Sequence, residues 1–167
     1  MKKAASVFLR ADINEKDASY LLAWLNDPET TQFLADGKNS VKDVRRLINN
    51  IPKHLWRMSL NCNGWFYMID FEDTPIGFIR LSEINGETYE IVIVLGDKKV
   101  WGKGYGTAAL KKCLNIAFFE HRAHRIIANI YPRNTRSLHL VEKLNFKKQD
   151  KYSSLVRYAL TYDQYIS

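Results

Sequence analysis

Apolar residues recur with two different periods along this chain, and the switches between them delimit its elements. Residues 5–10 alternate weakly and predict a first strand. Asn14, with Asp17 three residues on, has the form of a helix cap, and Ala18, Leu21, Leu22 and Leu25 then fall on one helical face. Pro28 stops that helix, because the residue before a proline is pushed out of the helical region. Ser40 and Asp43 open a second helix with the stripe Val41, Val44, Ile48 and Ile51, closed by Pro52. Two apolar runs, 64–69 and 76–81, flank the polar turn 72–75 and predict an antiparallel hairpin. A turn at Asn85 and Gly86 leads into 89–95, whose β-branched, near-continuous apolar character suits a central strand.

From Gly104 the period becomes helical, with Leu110, Cys113, Leu114, Ala117 and Phe118 on one face and an end near His121. Residues 125–130 predict a strand. Asn134 caps a short helix bearing Leu138, Val141 and Leu144, and two last strands follow at 146–151 and 155–160. The order β-α-α-β-β-β-α-β-α-β-β implies an α/β fold: one domain over 1–167, with a central mixed sheet and helices on both faces. No repeat or low-complexity linker divides it.

Composition narrows the function classes. With 167 residues, 46% of them hydrophobic, the chain has enough apolar surface for one sizeable core. No apolar run follows the basic start Met1-Lys2-Lys3, and none approaches the ~18 residues of a membrane span, so a cytoplasmic protein with no membrane partner is expected. Cys62 and Cys113 lack C-x-x-C spacing and support neither a disulfide framework nor a zinc ribbon. His121 and His124 have H-x-x-H spacing, but beside Glu120, Arg122 and Arg125 at a helix end they read as a solvated turn, and no metal is expected. The formal charge of +7 suggests an acidic partner. Because Lys and Arg are scattered and the aromatics mostly sit in apolar stretches, the pattern speaks against nucleic acid and leaves a polyphosphorylated small molecule. The residues do not separate a monomer from a homodimer.

The chemistry concentrates in Trp101-Gly102-Lys103-Gly104-Tyr105-Gly106-Thr107, between the central strand and the next helix. Backbone can approach a ligand closely there, and a helix N-terminus offers unpaired N–H groups and positive dipole to a phosphate-type anion. Lys98, Lys99 and Lys103 add charge beside it. A P-loop would need Ser or Thr after the lysine, where this chain has Gly104. A dinucleotide fingerprint read from Gly104 ends at Ala109, an allowed variant, but its strand continues an antiparallel meander and no acid stands about twenty residues on.

The stretch from Glu90 to Thr107 resembles the acetyl-CoA motif of the GNAT superfamily of N-acetyltransferases, whose loop reads [Arg/Gln]-x-x-Gly-x-[Gly/Ala]. Residues 131–146, with Asn134, Ser137 and the closing Lys143-Leu144-Asn145-Phe146, look like that family's helix after the fifth strand. Leu22-Ala23-Trp24-Leu25-Asn26-Asp27-Pro28-Glu29 resembles the branch that acetylates ribosomal-protein N-terminal alanine or serine. Two departures stand out. Trp101 replaces the Arg or Gln, removing a polar contact without touching the backbone cradle; Asn145 replaces a Gly where positive φ is required, and Asn tolerates that conformation.

The resemblance implies acetyl-CoA held by Val94, Leu95, Lys99, Val100, Trp101, Gly102, Lys103, Gly104, Tyr105, Gly106, Thr107, Asn134 and Ser137. Acyl transfer to an amine needs a neutral amine, a stabilised oxyanion and a proton for the leaving thiolate. Glu90, the one acid within the central strand, occupies the general-base position of the histone-acetylating branch, and Glu83 is its understudy. A backbone N–H near Val94 or Leu95 would serve the oxyanion. Many relatives use a Tyr on the last helix as proton donor; this chain has Val141 there, which leaves Ser137 and Tyr131. The acceptor, a small-molecule amine or a protein N-terminal α-amine, would meet residues 26–39 and 152–154, with Asp27, Glu29 and Asp36 as candidate attractors. The rival reading is a silent acyl-CoA-binding sensor.

Overall fold

The computed structural model describes residues 6–34 and 42–167, without the side chains of Lys42 and Tyr152. Ala5, Asp36, Ser40 and Val41, and with them part of the first strand, the second helix start and the acceptor segment, lie outside the described residues.

Among the described residues seven strands form one sheet: β1 (Phe8–Arg10), β2 (Gly64–Phe71), β3 (Thr74–Glu83), β4 (Thr88–Leu95), β5 (Arg125–Ile130), β6 (Lys147–Tyr152) and β7 (Leu155–Thr161), in the order β1-β2-β3-β4-β5-β7-β6. The β2–β3 hairpin turns through Glu72 and Asp73, whose φ values of 47° and 61° suit a tight two-residue connection. Every pairing is antiparallel except β4–β5, which is parallel and consists of three pairs, ending at Glu90↔Ile127. Beyond that point 91–95 and 128–130 run on with no pairing to each other among the described residues. The sheet is split at the carboxyl ends of its two central strands.

Helices cover both faces, as the sequence pattern implies. On one face α5 (Tyr105–Asn115) and α6 (Thr135–Lys143) bury Leu110, Leu114 and Val141 against Tyr89, Ile91 and Ile126. On the other, α1 (Glu15–Asn26), α3 (Lys42–Asn50) and α4 (Trp56–Leu60) bury Leu21, Val44 and Trp56 against Phe66, Phe78 and Val94. The reciprocal box of Asn14 and Asp17 caps α1 as expected. Trp24 of α1 packs so closely on Gly96 that a Cβ there would overlap the indole. That contact seats α1 over the end of β4. Asn145 has a φ of 64°, the left-handed conformation anticipated for it.

Three short helices escape the sequence pattern: α2 (Pro28–Thr31), α4 and α7 (Tyr162–Ile166). None is long enough to show a period. Pro28 does end α1, yet it also begins α2 at the position where a missing N–H costs nothing, with the Asp27 side chain accepting from Thr30 N–H. No helix among the described residues is long and apolar enough to cross a membrane.

One charged cluster is structural. Arg10 donates to both carboxylate oxygens of Asp17, at 2.7 and 2.8 Å, and through Nε to Asp70 at 2.7 Å. Both acids are buried, so the guanidinium ties β1 to α1 and β2 at once. The two carboxylates raise the Arg10 pKa further, its hydrogen bonds to Asp17 being the largest cause.

Candidate active site

The split between β4 and β5 opens into a cavity of about 320 Å³. Ile93, Val94 and Leu95 of β4 form its floor, the glycine loop one rim, α6 a side wall, and Glu29, Thr30 and Phe33 the wall opposite. The carboxyl ends of strands are where open α/β sheets place their ligands.

The loop is shaped around this space. Gly102 and Gly104 have φ values of 71° and 88°, and a Cβ on either would meet nothing within 4 Å. Gly104 caps α5 without a side chain, so among the described residues no capping side chain takes up the first amides of the helix. Those amides, from Tyr105 onward, lie at the cavity rim as donors for an anion. Gly106 differs: its Cβ would rest in ordinary contact with Leu95 Cδ1 at 3.6 Å and Leu140 Cδ2 at 3.7 Å. A pyrophosphate fits this cradle, since bare glycines face open space beside unbonded amides.

Most of the cofactor residues expected from the sequence come together here. Val94, Leu95, Val100, Trp101, Gly102, Gly104, Tyr105, Gly106, Thr107, Asn134 and Ser137 all line the cavity, whereas Lys99 and Lys103 are exposed outside its lining. Lys98 is spoken for. Its ammonium bridges Glu29 at 2.6 Å and Asp27 at 3.1 Å, which pins α2 to the turn before the loop and raises the Lys98 pKa. Asp27 is pulled below the usual carboxylate range, chiefly by the Thr30 hydroxyl and then by Lys98. Two of the three acids read as attractors for a cationic amine, Asp27 and Glu29, therefore already share one lysine.

Among the described residues the cavity's own basic side chains are Arg136, His139 and Lys143, on one stripe of α6. The sequence does not single them out, because they lie far along the chain from the glycines and only the folded helix brings their spacing of three and four to the cavity. Trp101 donates from its indole Nε1 to Leu95 O at 2.8 Å and carries the Arg136 guanidinium 3.8 Å above its ring.

Asn134 caps α6 by accepting from Ser137 N–H at 3.3 Å. Tyr131, at the end of β5, lies outside the cavity lining, and Val141 is buried in the core. Glu90 is half-buried on the α1–α3 face of the sheet and likewise outside that lining, with Oε1 accepting from Asn129 Nδ2 at 3.0 Å. Asn129 Oδ1 accepts in turn from Arg157 Nε at 2.9 Å. Glu83 is exposed.

His121 departs from the expected solvated turn. Its ring stacks on Trp65 with 3.6 Å between centroids, and Nε2 pairs with the Tyr67 hydroxyl at 2.8 Å. Burial lowers its pKa and pushes that of Tyr67 up to about 12. A helix-end wobble, the wide turn Ile116–Glu120, carries His121 inward; His124 stays exposed near Glu87. Both cysteines are free, Cys62 exposed and Cys113 buried with its thiol pKa pushed up by desolvation. No group of three or more potential metal ligands occurs among the described residues.

The family described as acetyltransferase (GNAT) domain matches residues 7–147. The chain is 28% identical over 141 residues to the uncharacterized N-acetyltransferase p20 of Bacillus licheniformis, covering 80% of this chain and 75% of that protein. Its fold is similar to that of a GNAT-family acetyltransferase from Bacillus anthracis, with a TM-score of 0.74, 24% identity, and coverage of 95% of this chain and 96% of that one. It is also similar to the spermidine N-acetyltransferase of Vibrio cholerae, solved with CoA and spermine, at a TM-score of 0.77, 18% identity, and 96% and 98% coverage. With the family matching most of its length and the loop, strand split and capped helix all in place, the chain belongs to the GNAT acetyltransferase family and is an acyltransferase.

Proposed function

We propose that this protein transfers an acetyl group from acetyl-CoA to a primary amine by direct attack in a ternary complex. The observation that carries this reading is the cradle of Gly102 and Gly104, open to the cavity in left-handed conformations, at the mouth of the split between β4 and β5. The Vibrio cholerae relative in fold was solved with CoA, which agrees with it. When bound, acetyl-CoA supplies an acetyl group activated as a thioester.

The protein's residues then divide the remaining work. Glu90, at the fork of the split and held by Asn129, takes the proton of the acceptor amine. A lysine-type amine with pKa ~10.4 is neutral in only about one molecule in 2500 at pH 7, so a base matters most for such an acceptor. Ser137 lines the cavity where Tyr131 does not, and it is the better placed hydroxyl to donate a proton to the leaving thiolate. The main-chain N–H of Val94 or Leu95 serves the developing oxyanion. The acceptor is a small-molecule amine or a protein N-terminal α-amine, and two unbridged thiols accord with a cytoplasmic setting.

A thiol-release assay across polyamines, aminoglycosides, amino sugars and peptides with free α-amines tests the acceptor. Turnover only with peptides beginning in alanine or serine would support the ribosomal-protein branch; turnover only with small amines would remove it.

A further inference from the structure

Arg136, His139 and Lys143 stand at i, i+3 and i+7 along α6 and reach the same wall of the cofactor cavity. None of the three is paired with a carboxylate among the described residues, whereas Lys53 and Arg57 each hold one and Lys98 holds two. Among the described residues the acid lining this cavity, Glu29, sits on the opposite wall in the grip of Lys98. So one wall carries uncompensated positive charge.

Arg136 is nevertheless fixed in place. Its guanidinium carbon lies 3.8 Å from the centroid of the Trp101 ring, and that ring is itself anchored through its N–H to Leu95 O at 2.8 Å. Stacking engages only the flat face of a guanidinium; its five N–H donors lie in the plane and stay available at the edge. A planar fork with its orientation set, backed by a lysine and a histidine, is suited to a tetrahedral dianion. The amides of α5 form a separate donor set at the cavity rim, matched to the pyrophosphate. Coenzyme A carries one further anion, the phosphomonoester on its ribose 3′-hydroxyl.

We propose that Arg136, held on the face of Trp101, together with His139 and Lys143, binds the 3′-phosphate of coenzyme A and makes this protein select the 3′-phosphorylated cofactor over its dephospho form. The proposal rests on the acetyl-CoA reading above. Trp101, standing where the family pattern has Arg or Gln, thereby acts as a positioning residue: it supplies the platform, and α6 supplies the charge.

Calorimetric titration of the purified protein with CoA and with 3′-dephospho-CoA tests this. The wild type binds CoA about tenfold more tightly, the size of one charge-assisted contact. Arg136→Ala combined with Lys143→Ala narrows the ratio to within about twofold by weakening CoA alone, and its unchanged affinity for dephospho-CoA shows that the fold is intact. Arg136→Lys keeps the charge without the planar fork and retains part of the preference. Trp101→Leu lowers the preference as well, with Arg136 still present. Equal binding of the two forms by the wild type overturns the proposal and leaves the acetyl-CoA reading standing. So does a double variant that loses affinity for both forms in the same proportion. If neither form binds, both fall together.

Discussion

Asn129 Nδ2 donates to Glu90 Oε1 at 3.0 Å across the point where β4 and β5 part. Glu90 is in the last parallel pair, and Asn129 lies two residues further along β5 than its partner Ile127, so the side-chain bond continues a connection that the backbones have given up. Arg157 on β7 holds the far side of the Asn129 amide. The carboxylate proposed as base is thus oriented from the neighbouring strand. Glu90→Gln is expected to lower kcat by about 10²-fold or more, with CoA affinity nearly unchanged. Asn129→Leu leaves the carboxylate present but unheld and lowers kcat by about tenfold. A pH–rate profile of Glu90→Gln superimposable on the wild type would refute the base role.

The glycine loop distinguishes two glycines that look alike in sequence. Gly104→Val forces a branched side chain into a left-handed conformation and fills space beside the α5 amides, so the Kd for CoA rises at least about tenfold. Gly106→Ala adds only a methyl in normal contact with Leu95 and Leu140, and CoA binds with near wild-type affinity. Titration of both variants reads the contrast directly.

Removing the Asp17 carboxylate leaves Arg10 with Asp70 as its remaining carboxylate partner among the described residues and strips α1 of the half of its capping box in which Asn14 N–H donates to Asp17 Oδ2. Asp17→Ala is expected to destabilise the protein by about 3 kcal/mol, the scale for breaking a buried pair from one side. Urea unfolding checks this, and the midpoint falls while the slope stays constant.

His121 makes stability depend on pH. Its folded pKa is lowered by burial from the ordinary 6.5, so the unfolded chain binds the proton first. Unfolding then becomes easier as pH falls below about 6.5, and the loss levels off below the folded value. Above that range this histidine contributes no slope. His121→Gln, which can still hydrogen-bond the Tyr67 hydroxyl, is expected to flatten the unfolding free energy across this window.

Thiol chemistry separates the two cysteines. A thiol-reactive disulfide should modify Cys62 in the native protein and reach Cys113 only on unfolding, because Cys113 is fully buried with its thiolate disfavoured.

Long periodic elements were legible in the sequence because burial on one face imposes a pattern: the stripes of α1, α5 and α6 and the run of β4 all appear where periodicity puts them. The glycine loop was legible through its own chemistry. Tertiary neighbours were not. Nothing local announces that His121 meets Trp65, that Lys98 reaches back to Glu29, or that Trp101 lies under Arg136, since these pairs are separated by tens of residues. The Glu90 position was readable as an acid in an apolar strand, but its bond to Asn129 depends on the register of a parallel pairing that sequence periodicity leaves open.

The central claim is acetyl transfer from acetyl-CoA to an amine. Purified protein should release coenzyme A thiol from acetyl-CoA only when an acceptor amine is added, with one acetylated amine appearing by mass spectrometry for each thiol released. Tight binding of coenzyme A with no amine-dependent release across the whole acceptor panel would contradict it and leave an acyl-CoA-binding module instead.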